Sequence, residues 1–96
     1  NLNSSTQEYV NGILQANDYL RQRSNFERTY VAGRQGYSTV LAGRSPVTNR
    51  TEVVTVYTTQ LNSGDLFYVI TVVPEGEMGN YSSAFRNMLS SIRLSN

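Results

Sequence analysis

The chain has 96 residues, 39% of them hydrophobic and 16% charged, with two prolines and no cysteine, histidine, lysine or tryptophan. One domain fits that length. The missing imidazoles and thiols argue against a zinc site and exclude the usual Ser-His-Asp and Cys-His nucleophile arrangements. Eight arginines against seven acids leave a net charge of +1, too small a field to favour nucleic acid or anionic lipid. No apolar run is long enough to span a bilayer.

The first periodic segment is expected to be a helix over Thr6–Gln22, with Tyr9, Val10, Ile13, Leu14, Tyr19 and Leu20 as its apolar stripe. Ser5-Thr6-Gln7-Glu8 has the form of a capping box at its start. Beyond Ser24-Asn25 the period changes to two. Phe26–Ala32 reads as a strand, Gly33-Arg34-Gln35-Gly36 as a turn, and Tyr37–Gly43 as a second strand. After a longer turn over Ser45–Arg50, Thr51–Leu61 is dense in β-branched residues and forms a third strand. A short hairpin loop at Asn62-Ser63-Gly64-Asp65 leads to the fourth, Leu66–Val73, which ends at Pro74.

A loop over Pro74–Asn80 precedes the last element. There Tyr81, Ala84, Phe85, Met88, Leu89 and Ile92 recur at helical spacing, with Asn80 placed to cap the helix. Short connections make neighbouring strands antiparallel. The fold class is therefore α+β: helix, four-stranded antiparallel meander, helix, with the helices packed on the sheet in a two-layer arrangement. One feature does not fit two layers. The fourth strand is apolar on both sides, and a sheet covered on one face should alternate. We expect a neighbouring domain or a second copy of the chain on the side of Phe67, Val69 and Val73, which makes these three the candidate interaction surface.

Few other residues invite chemistry. Glu75-Gly76-Glu77 offers two carboxylates in a glycine-containing loop, but calcium takes six to eight oxygens, and a solvated turn explains the pair better. The arginines are spread along the chain, and the seven tyrosines fall where half-buried packing would put them. Asn3-Ser4-Ser5, Asn49-Arg50-Thr51 and Asn80-Tyr81-Ser82 match the glycosylation triplet, a pattern frequent by chance in a chain rich in these residues.

Gly33-Arg34-Gln35-Gly36, Leu41–Thr48, Glu52–Val56 and the closing stretch Tyr81–Leu94 together resemble the C-terminal region of bacterial M48-type zinc metallopeptidase-like proteins. The resemblance runs from about Phe26 to Leu94, and the pattern is also similar to the small α+β domains of the PsbP/Mog1-like group. It implies that residues 1–96 are a single domain from the C-terminus of a longer, extracytoplasmic (periplasmic or envelope-associated) chain. Such peptidases carry His-Glu-x-x-His on a helix, and this sequence has no histidine to match it. Zinc is therefore expected only in an upstream catalytic domain. No catalytic, cofactor or metal residue is assigned here.

The leading expectation is a non-catalytic accessory domain that contacts protein, either its own upstream domain or another chain, with weak homodimerisation and no nucleic acid. The alternative is a free-standing PsbP/Mog1-like protein-binding module of an exported bacterial protein.

Overall fold

A computed structural model describes residues 1–95. The elements run α1 (Leu2–Ala16), β1 (Arg21–Gln22), β2 (Glu27–Val31), β3 (Arg34–Arg44), β4 (Thr51–Gln60), β5 (Leu66–Pro74) and α2 (Met78–Ser91). The expected α+β class is what the chain adopts: two helices on an antiparallel sheet.

α1 begins and ends earlier than its apolar period suggests. The Asn1 side chain accepts a hydrogen bond from the Ser4 amide at 2.9 Å, which caps the helix ahead of the expected Ser5 box. At the other end the Asn17 amide and its side-chain Nδ2 both donate to the Ile13 carbonyl at 3.0 Å. Asn and Asp compete with the helix for backbone partners, so the chain turns at Asn17-Asp18. Tyr19 and Leu20 thus reach the core from a turn, and Arg21 and Gln22 enter the sheet.

β1 and β2 lie one after the other along the same edge of β3. Arg21 and Gln22 pair with Ala42 and Leu41, and Glu27–Val31 pair with Ser38–Arg34. Between them Arg23–Phe26 oppose only Thr39 and Val40, and the amides of Arg23 and Ser24 both donate to the Val40 carbonyl, at 2.7 and 3.3 Å. This bulge separates β2, the expected first strand, from β1, which comes from the end of the expected helix, so the sheet holds five strands. β3–β4 and β4–β5 are continuous antiparallel pairs, and β5 is the far edge.

The β2–β3 hairpin is tighter than expected. Its loop is Ala32-Gly33, both with positive φ (54° and 77°), so Gly36 lies within β3 rather than in the turn. Gly43 has a separate role. A Cβ there would run into the Tyr19 carbonyl oxygen, and glycine lets the turn after α1 cross β3.

Register assigns the two faces. Val54, Val56 and Thr58 on β4 are level with Leu41, Thr39 and Tyr37 on β3 and with Val72, Ile70 and Tyr68 on β5. This is the α1 face: Val10, Leu20, Leu41, Val54 and Val56 form its buried core, and Thr6 bonds Thr58. Side chains there remove about 1.5–3 kcal/mol worth of apolar surface each from water.

The opposite face buries Val31, Ala42, Val53, Val73, Thr55, Thr59 and Thr71. α2 supplies that cover: it contacts β2 and β5, its buried Leu89 faces the sheet, and the Ala32 amide donates to the Leu89 carbonyl at 3.2 Å. The helices therefore flank the sheet, one per face, and two layers become three. This accounts for a fourth long strand that is apolar on both sides. α2 starts at Met78, so Asn80 lies inside it, and Glu77 precedes it without a side-chain capping bond.

Candidate interaction surface

The sheet has two unequal edges. On one, β1 and β2 are two and five residues long, broken by the bulge, and carry Arg21, Glu27 and Arg28. Short strands, bulges and charges are the means by which proteins discourage another strand from adding to an edge. β5 has none of these. It is nine residues long, uncharged, and has proline only at its last position, and its outer edge is unpaired among the described residues. Its open backbone groups remain available to a further strand.

β5 also carries exposed apolar side chains. Tyr68, Ile70 and Val72, all on the α1 face, are 49%, 38% and 54% exposed. Beside them Ile13, Tyr19, Glu52, Ile70 and Val72 line a shallow groove of about 200 Å³. Tyr19 Oη donates to Glu52 Oε1 at 3.1 Å and marks the polar end of the groove. Desolvation first, then the Glu52 carboxylate, raises the Tyr19 pKa. At the other end the Tyr9 and Tyr68 rings lie with centroids 4.3 Å apart and planes tilted by 31°, and burial together with Tyr68 pushes Tyr9 up to about 12. Tyr9 and Tyr19, their phenols raised, stay neutral near pH 7 and present an amphipathic surface.

The three residues singled out in the sequence lie on the α2 face. Phe67 and Val69 are half-buried, and Val73 is 3% exposed beneath the helix. The row of β5 that faces solvent is the alternate one. Sequence alternation identified the strand but not which row remains uncovered, since that depends on how far α1 and α2 reach across the sheet. An uncharged strand followed by a closing helix was the available signal.

The remaining sequence candidates are dispersed. Glu75 and Glu77 each face an arginine, Arg23 at 3.4 Å and Arg50 at 2.9 Å. No group of three or more His, Cys, Asp or Glu able to hold a metal occurs among the described residues. Arg21, Arg34, Arg44 and Arg93 donate to nearby backbone or amide oxygens rather than converging. Of the tyrosines, Tyr30, Tyr68 and Tyr81 are exposed rather than half-buried. A larger open cleft of about 580 Å³ lies between the start of α1 and the β2–β3 hairpin, lined by Leu2, Arg28, Tyr30, Gln35 and Tyr37. The first and third glycosylation triplets fall within helices, and Asn49 sits in the β3–β4 turn with φ 60°.

Among the described residues no helix is long and apolar enough to cross a membrane. No family model, curated protein or solved structure matches the chain.

Proposed function

We propose that this chain is a non-catalytic, protein-binding accessory domain whose docking element is β5. The observation that carries the reading is the asymmetry of the sheet edges: one is short, bulged and charged, the other long, uncharged and bordered by exposed Tyr68, Ile70 and Val72. An extended segment added to β5 gains main-chain hydrogen bonds, while the row and its groove select apolar side chains. In keeping with the resemblance to M48-type proteins, the domain serves an extracytoplasmic peptidase-like chain and orients protein against it. The hydrolytic chemistry belongs outside these 96 residues.

The test has two parts. The isolated chain, loaded with zinc and offered an unfolded protein substrate, should release no peptides; zinc-dependent turnover by these residues would overturn the non-catalytic reading. In a parent chain that carries the peptidase motif, Ile70→Lys should impair processing of protein substrates while sparing hydrolysis of short peptides. An equal loss on both, or on neither, would remove the docking role of β5.

A further inference from the structure

The exposed surfaces are the β5 edge, the Leu2–Tyr37 cleft, the outer stripe of α2 at Tyr81 and Met88, and the β3–β4 loop tip, where Val47 is exposed. The β5 edge supports the most specific inference, because its sequence restricts what can pair with it. Resting on the docking role of β5, we propose that its occupant is a second copy of this chain, joined by antiparallel β5–β5 pairing centred on Val69.

The argument is one of self-complementarity. A two-fold axis perpendicular to the sheet pairs residues of like parity, so each face continues across the junction. With Val69 on the axis, Tyr68 lies opposite Ile70 of the second copy, Leu66 opposite Val72, and Phe67 opposite Thr71. Aromatic and β-branched residues opposite one another are the favourable cross-strand pairs. The exposed row then meets its own image, and both α1 helices stand on the same side of a doubled sheet.

Charge disfavours the next register along the strand. Centred on Val69, Asp65 falls opposite Val73, and no two charged residues oppose one another along the strands. Centred on Ile70, Asp65 falls opposite Glu75, and like charges directly opposite are destabilising. The net charge of +1 adds little repulsion between copies. The other edge cannot pair in this way, because its bulge at Arg23–Phe26 interrupts the ladder. One strand pair buries less than the roughly 1,200–2,000 Å² of a stable complex. The dimer is therefore weak, with a dissociation constant on the order of 0.1 mM.

Sedimentation velocity on the whole chain from about 10 µM to about 1 mM measures it directly. The expected result is a concentration-dependent dimer. Ile70→Lys and Tyr68→Lys should each raise the dissociation constant at least tenfold, whereas Tyr30→Lys on the opposite edge leaves it unchanged. Circular dichroism verifies that each variant is folded, and the two β5 variants guard against one failing to fold. The register is read separately. The chain has no cysteine, so Val69→Cys places a single thiol on the axis, within about 4.5–5.5 Å of its symmetry mate for a directly opposed pair. It should form a disulfide-linked dimer much faster than Ile70→Cys. A strict monomer at the highest concentration, a dimer indifferent to both β5 charges, or faster cross-linking through Ile70→Cys would each overturn the proposal. None of these results would bear on the absence of catalysis by the isolated chain, which tests the non-catalytic reading independently.

Discussion

Two pairs of buried threonines should respond with opposite sign to the same substitution. Thr6 on α1 and Thr58 on β4 are 1% and 0% exposed, and their hydroxyls bond at 2.7 Å. Thr55 and Thr71 oppose one another across β4 and β5 on the α2 face, and neither hydroxyl has a partner among the described residues. Thr6→Val leaves the Thr58 hydroxyl buried and unpaired, at a cost of about 1–3 kcal/mol. Adding Thr58→Val removes the orphan, so the double variant should be closer to the parent than either single one.

Thr55→Val instead deletes a hydroxyl that is already unpaired and installs a better strand former. It should stabilise by about 1–2 kcal/mol. For a domain of this size each kcal/mol moves the midpoint by roughly 4–8 °C. Thr6→Val should therefore lower it by about 4–24 °C and Thr55→Val raise it by about 4–16 °C. Urea and thermal unfolding of the three single variants, Thr6→Val, Thr58→Val and Thr55→Val, and of the two double variants decide the matter. The reasoning fails if Thr55→Val is destabilising and Thr71→Val reverses the loss, because the two hydroxyls would then be bonding to each other.

Four further outcomes follow from the same geometry. Gly43→Ala forces a methyl group against the Tyr19 carbonyl and should be clearly destabilising by urea unfolding, whereas Gly12→Ala, inside α1 with nothing within 4 Å, should stabilise by about 0.5–1 kcal/mol. Ala32→Asn puts the favoured Asn-Gly pair into the β2–β3 loop and should stabilise by about 0.5–1 kcal/mol in the same assay. Arg50→Ala breaks an ion pair with Glu77 whose side chains are 60% and 37% exposed, and should change stability by less than about 1 kcal/mol. Because the Tyr9 pKa is raised from 10.0 to about 12, the folded state holds that proton more tightly than the unfolded one. Its contribution to stability is complete below pH 10 and should fade as the pH rises towards 12. Tyrosinate absorbance should show Tyr9 titrating earlier in Tyr68→Phe.

The hairpin of β4 and β5 is plain in the sequence because β-branched residues crowd Thr51–Leu61 and a glycine-containing loop follows. The helices are legible from their apolar spacing, though not their ends. Asn1 and Asn17 set the limits of α1 through side-chain bonds that periodicity cannot register. The bulge was hidden for a related reason. Arg23–Asn25 looks like any polar connector until Val40 is seen to accept from two consecutive amides.

The α2 face was the hardest part to read. Its buried residues include Thr55, Thr59 and Thr71, which count as polar in a pattern yet pack beneath a helix. For this reason Phe67, Val69 and Val73 stood out in the sequence, while the solvent-facing row of Tyr68, Ile70 and Val72 did not.

Residue-resolved amide hydrogen exchange along β5, followed as protein concentration is raised, tests the role of this edge most directly. Alternate amides bonded to β4 should be protected throughout. The intervening amides, which face away from β4, should exchange rapidly in dilute solution and become protected as a second strand adds. If those outward amides are equally exposed at every concentration, or equally protected in the most dilute sample, β5 is not the edge at which a second copy of this chain joins.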